Sequence, residues 1–259
     1  MRTSFQALTL GLLLCSSAAM AEDAPASDFT ITGAATIASQ YRFRGISQSD
    51  NKPVVQGTFT VAHSSGFYIS TWGSSASAGN STVNIGGTEI DVYGGWTHSL
   101  GNSGVTVDVG GYGYIYPGAS ALSYYEIYGS LAKTFGPVSA KAGVYYAPSQ
   151  SALDGYATNH NVYVYGELSG GIPGTPISLH GHVGHTGGAF DYTKDYIDYT
   201  VGAAVKWKAL TFDLSLVGTN VSKSDARANP FPDQTGTLNP FETRRAAKPV
   251  LVGSVTASF

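Results

Sequence analysis

Hydrophobic and polar side chains alternate along this chain with a period of two. From Asp28 to Arg44 the odd positions include Phe29, Ile31, Ile37, Tyr41 and Phe43, and the even ones include Thr30, Thr32, Thr36, Gln40, Arg42 and Arg44. Such alternation sends successive side chains to opposite faces of a strand. The run exceeds the strand of about 5–6 residues usual in soluble proteins. It suits a tilted membrane strand of about 9–11 residues with an extension past the bilayer. The register recurs at 54–62, 67–73, 89–97, 105–116, 124–135 and 138–147, then around 161–168, 177–183, 197–207, 210–216 and 251–259. Residues 67–73 are ambiguous, with Phe67 and Ile69 against Tyr68 and Trp72. No helical period is visible.

The links between these segments alternate in length. Long ones cover about 45–53, 74–88, 117–123, 148–158, 185–195 and 222–247. Short ones are Ser64-Ser65, 98–104, Gly136-Pro137, 170–176 and Lys208-Ala209. The pattern predicts an all-β fold, a transmembrane antiparallel β-barrel of about 12 strands over residues 28–259, with long external loops and both termini periplasmic. A closed ladder is what hydrocarbon demands, because every backbone N–H and C=O needs a partner there. A secreted β-sandwich also alternates. Against it stand one face nearly free of ionic residues and a final alternating strand that ends on Phe259. Aromatic residues also gather at segment ends (Tyr41/Phe43, Tyr114/Tyr116, Tyr124/Tyr125, Tyr145/Tyr146, Tyr196/Tyr199 and Trp207), read as interfacial girdles. Outward glycines at 33, 57, 94 and 129 are expected to ease curvature. Phe259 is expected to act as the assembly signal read by barrel-assembly machinery, with outer-membrane lipid the other partner.

Composition sharpens the class. Only 12% of the 259 residues are charged, about half the share of a soluble domain, while glycine, at 33 residues, is nearly twice its usual frequency. A net charge of −3 gives no support to nucleic-acid binding. Residues 1–21 read as a signal peptide, with Arg2, the apolar stretch from Ala7 to Leu14 and an Ala19-Met20-Ala21 cleavage site. A short periplasmic segment, 22–27, would follow. The sole cysteine, Cys15, lies in the signal, so the exported chain is expected to carry no disulfide. The expected location is the bacterial outer membrane, after export.

Several stretches resemble the TorF-type family of outer-membrane porins. They are Tyr41-Arg42-Phe43-Arg44-Gly45-Ile46-Ser47-Gln48, Asn51-Lys52-Pro53-Val54-Val55-Gln56-Gly57, Gly66-Phe67-Tyr68 with Trp72, Tyr116-Pro117-Gly118, Tyr125-Glu126-Ile127-Tyr128, and Phe135-Gly136-Pro137-Val138-Ser139-Ala140-Lys141 with Tyr145-Tyr146. The resemblance spans about residues 28–150 and implies an outer-membrane location and a pore, without naming a solute.

With the polar face inward, the expected pore-lining bases are Arg42, Arg44, Lys141 and Lys206. The acids are Glu89, Asp91, Asp108, Glu126, Glu167, Asp198 and Asp213, and two histidines, His180 and His182, join them. Two uses are open. The charges can brace the wall as ion pairs, for example Arg42 or Arg44 with Glu126, or the surplus of acids can make a cation-preferring constriction. His180-Gly-His182-Val-Gly-His185 has a metal-like spacing but is read as lumen or rim histidines, and no metal or cofactor is expected. No G-x-S-x-G motif is present, and the chain is expected not to be an enzyme. The leading expectation is passive diffusion of small polar solutes or ions. The alternative is a plugged or self-filled barrel with a structural or adhesive role for its loops, and an outer-membrane enzyme is a third.

Overall fold

The computed structural model describes residues 27–76, 85–154, 158–190, 194–230 and 237–259. The expected signal peptide and residues 22–26 lie outside them. Twelve strands form a closed antiparallel barrel, each paired with its neighbours in sequence. They are β1 (Phe29–Ala38), β2 (Val54–His63), β3 (Phe67–Ser75), β4 (Thr88–Ser99), β5 (Val105–Ile115) and β6 (Tyr124–Phe135). The second half comprises β7 (Val138–Ala147), β8 (Asn161–Gly171), β9 (Ile177–Gly188), β10 (Tyr196–Trp207), β11 (Leu210–Thr219) and β12 (Val250–Ser258). Closure pairs Ala34–Ala38 of β1 with Ser254–Ser258 of β12. Phe259 extends that seam through reciprocal 3.0 Å backbone bonds with Gly33. A Cβ on Gly33 would overlap the Phe259 ring, so this glycine makes room for the terminal aromatic.

All twelve predicted segments are strands, and the long and short links fall at opposite ends of the barrel. Burial alternates as the register requires; in β6 buried Tyr124 and Glu126 alternate with exposed Tyr125 and Ile127. The outer surface carries aliphatic and aromatic side chains around the whole barrel, among them Ile37, Val55, Leu131, Val201 and Leu214. A closed ladder with an apolar exterior is the arrangement that hydrocarbon solvates. The ambiguous segment resolves the same way: Phe67 and Ile69 point out, while Tyr68 points in and donates to Asp108 at 2.8 Å.

Three expectations change. The first strand stops at Ala38 rather than running on to Arg44. The chain then turns inward as a small hairpin in which Arg42-Phe43 pairs with Ile46-Ser47. Its two-residue tip, Arg44-Gly45, has φ of 45° and 79°. Positive φ at both central positions matches the right-handed twist of a tight hairpin, and glycine suits the second of them. Secondly, the link 220–249 contains two helices, α1 (Lys223–Ala228) and α2 (Pro240–Ala247). They are too short to display a hydrophobic period, but their starts are specified by capping. Ser222 and Asp225 form a capping box, and Asn239 caps α2 ahead of Pro240. The Lys194 ammonium, 2.8 Å away, and the Ser222 cap hold the Asp225 carboxyl down to about 2. That cap therefore contributes above about pH 4 and fades as pH falls through the depressed value. Thirdly, the aromatic pairs are not all girdle residues. Tyr125, Tyr146 and Trp207 lie on the outer surface, but Tyr41, Tyr114, Tyr116, Tyr124, Tyr145 and Tyr196 are buried inside. Adjacent residues of a strand face opposite ways, so an aromatic doublet supplies one ring to each side.

The hairpin is fastened at several points. The Arg42 guanidinium donates to Gln40 Oε1 (2.9 Å), Gly45 O (2.7 Å), Asn51 Oδ1 (2.9 Å) and Lys248 O (3.0 Å). Arg245 of α2 pairs with Asp50, and Ile46 packs against Tyr196, Val221, Ala246 and Ala247. At the tip, Gly45 lies against the wall: a Cβ there would come within 2.6 Å of Thr219 Cγ2 and 2.8 Å of Gly218 O. Gly45→Ala combines that clash with an unfavourable φ, and is expected to cost about 1–3 kcal/mol. Urea titration of the refolded protein, compared with Gly57→Ala on the outer face, checks it; equal midpoints would show that the tip is not seated as described.

Candidate functional site: the barrel lumen

The inward face of β4–β11 collects nearly all of the barrel's ionic side chains, because charge on the outer face would meet lipid. On β4, Glu89 and Asp91 alternate with outward Ile90 and Val92 and are almost wholly buried. The Tyr41 hydroxyl donates to Glu89 at 3.1 Å and the Tyr112 hydroxyl to Asp91 at 2.9 Å. Glu126 of β6 accepts from the Tyr114 hydroxyl at 3.0 Å and from Arg44 Nη2 at 2.6 Å. Both members of this ion pair are sequestered, with side chains 2% and 0% exposed. Arg44 thus reaches the lumen from the hairpin, not from a strand, whereas Arg42, expected to line the pore, is taken up by Gln40, Asn51 and the carbonyls of Gly45 and Lys248 in the links.

A second cluster spans β8–β10. His182 lies between two carboxylates, with Nδ1 3.3 Å from Glu167 and Nε2 3.1 Å from Asp198, and the Tyr163 hydroxyl is 2.7 Å from the same Nε2. Glu167 stands opposite Lys141 in the β7–β8 register, and the Lys141 ammonium lies 5.7 Å from the Tyr165 ring centroid. Towards the short turns, His180 Nε2 is 3.0 Å from Ser215 Oγ and 3.5 Å from Asp213, while Ser215 donates to Asp213 at 2.6 Å. Lys206 shares the inward parity of β10 near the same end. His185 lies three residues beyond His182 and is exposed on the opposite face of β9, so the histidine triplet is not assembled.

Tyrosines fill much of the space between these charges. Tyr116, Tyr124, Tyr114, Tyr112 and Tyr93 form a continuous series of ring contacts with centroids 4.3–6.5 Å apart. Tyr145, Tyr163 and Tyr165 form another against His182. Strand parity alone places these rings inside. Phe190, which joins them from the link after β9, carries no such signal. A cavity of about 40 Å³ remains where Phe43 and Gln48 of the hairpin meet Glu89, Tyr116, Tyr124 and Phe190. The long-link end of the lumen is therefore narrowed by the hairpin. The short-turn end is lined by small hydroxyl side chains, Thr60 and Ser70 (2.6 Å apart) among them.

Two solved porins share this architecture. A KdgM porin, solved in complex with disordered oligogalacturonate, superposes with a TM-score of 0.55 at 10% identity, covering 89% of this chain and 99% of its own. A NanC porin does so with a TM-score of 0.53 at 12% identity, with the same coverage. At such identities the likeness is one of fold. No curated protein matches the sequence. A bacterial family of unknown function, Gcw_chp, matches residues 22–238, and the chain belongs to that family.

Proposed function

We propose that the protein is a channel of the bacterial outer membrane, narrowed at its long-link end by the inward hairpin, through which small polar solutes or ions diffuse. The observation that carries this reading is the sorting of side chains by face: an apolar exterior, and an interior with seven inward acids (Glu89, Asp91, Asp108, Glu126, Glu167, Asp198, Asp213). Of the four bases, Arg44 is neutralised by Glu126, and the six acids that remain outnumber Arg42, Lys141 and Lys206, so the remaining field favours cations. The fold shared with porins and the TorF-type resemblance support the same direction.

A self-filled barrel is the second reading, and the buried hairpin favours it. The geometry of the serine–histidine–acid grouping in the lumen disfavours an enzyme there. Ser215 and Asp213 address the same nitrogen of His180, whereas a relay needs the base between them through its two nitrogens.

Planar-bilayer recordings of refolded protein under a salt gradient test the proposal. Stepwise conductance with a cation-selective reversal potential is expected, moving towards zero in Asp108→Asn. No steps at any voltage would remove the channel reading and favour the filled barrel.

A further inference from the structure

Arg44 is held as a ligand would be. Its guanidinium carbon lies 4.2 Å from the ring centroid of Tyr163, 5.8 Å from Tyr145 and 5.9 Å from Phe190. Glu126 closes one side at 2.6 Å. The hairpin's own Phe43 ring lies 4.7 Å away as well, and the three other aromatic faces within about 6 Å, with a carboxylate at one edge, are the elements that recognise a planar organic cation. All four belong to the wall or to the link after β9, not to the hairpin that delivers Arg44.

Two further observations mark the fit as that of a stand-in. Among the described residues, Arg44 Nη1 and Glu126 Oε1 are both buried without a hydrogen-bond partner. A guanidinium free to turn could use both carboxylate oxygens in the parallel geometry that arginine and carboxylates favour. Arg44 also holds φ at 45° in the first position of the tip, where Asn, Asp or Gly is the ordinary choice. A bulky residue kept in that region places function above local preference.

We propose that Tyr163, Tyr145, Phe190 and Glu126 form a recognition site for a guanidinium group carried by a solute in the lumen, and that Arg44 occupies it as a tethered substitute. As a step in transport the site rests on the channel reading; as a binding site it does not. The tether gives Arg44 an effective concentration in the millimolar range, so a solute competes poorly until the hairpin withdraws or Arg44 is removed.

Full-length Arg44→Gly, which retains a favourable tip residue, is titrated with methylguanidinium chloride by calorimetry beside the wild type and Arg44→Gly/Glu126→Gln, with potassium chloride as the ionic control. Saturable binding about tenfold or more tighter than wild type is expected in Arg44→Gly, and its loss in the double variant. No saturable binding to a folded Arg44→Gly, judged by heat-modifiable gel mobility, would overturn the site, as would equal binding in the double variant. Should Arg44→Gly not fold, Arg44→Asn keeps the turn and is read by the same criteria. Bilayer currents separate the two proposals: binding without conductance removes the channel and leaves the site, and conductance without binding does the reverse.

Discussion

Replacing Glu126 with leucine while Arg44 stays in place is expected to destabilise the barrel by about 3–5 kcal/mol, the cost of leaving a buried charge without its partner. The size follows from the setting. Glu126 is fully buried, its Oε2 accepts from Arg44 Nη2 and Tyr114, and Tyr196 fixes the Arg44 backbone by donating to its carbonyl at 3.1 Å. Leucine would leave the guanidinium facing rings on one side and an aliphatic group on the other. Arg44→Gly in the same chain removes the stranded charge, and the double variant should recover most of the loss. Urea titrations of the four proteins refolded into vesicles give the coupling directly. A Glu126→Leu single variant within about 1 kcal/mol of wild type would mean that the pair is wet and weakly coupled.

The second large effect concerns two leucines of similar exposure. Leu214 is 58% exposed near the middle of β11, and Leu238 is 61% exposed in the link that carries the helices. In water, either could become arginine at a cost within about 0.5 kcal/mol. If the barrel exterior is solvated by hydrocarbon, Leu214→Arg costs about 2–4 kcal/mol while Leu238→Arg remains near zero. Reversible refolding in phospholipid vesicles measures both. Equal, small effects would contradict a membrane-embedded exterior.

These two variants also show what the sequence could and could not reveal. Leu214 is outward by simple parity: Leu210, Phe212, Leu214 and Leu216 alternate with Thr211, Asp213 and Ser215, and the sheet is bound to place one set against lipid. Parity likewise places Glu126 inside, but not Arg44. The alternation continues beyond Ala38, so residues 39–44 look like more of β1, and the chain leaves the sheet only because the Arg44-Gly45 tip can turn and the wall can accept a guanidinium. A link from Gly45 onward was legible, but the inward turn at Arg44-Gly45 was not, because its destination depended on Tyr163 and Phe190, more than a hundred residues away. The doublets misled in a related way: Tyr145 and Tyr146 look alike in sequence, and only their parity separates a lumen ring from a surface one. The helices at 223–228 and 240–247 were not read from the sequence, because each is too short to show a period and only the caps Ser222, Asp225 and Asn239, with Pro240, specify their starts.

The seam between β1 and β12 gives the molecule a temporal order. Eleven of the strand pairings join neighbours in sequence, most of them through links short enough to close in microseconds. The twelfth brings Thr36 to Thr256 across 220 residues and can form only when the other eleven are aligned. Non-local pairing is the slow event in β-proteins, so closure of this seam is expected to be the last and slowest of the twelve pairings. Arg42, which donates to the carbonyl of Lys248 just ahead of β12, ties the first link to the last strand. The hairpin that narrows the finished lumen thereby also tethers the segment leading into the strand that closes the seam.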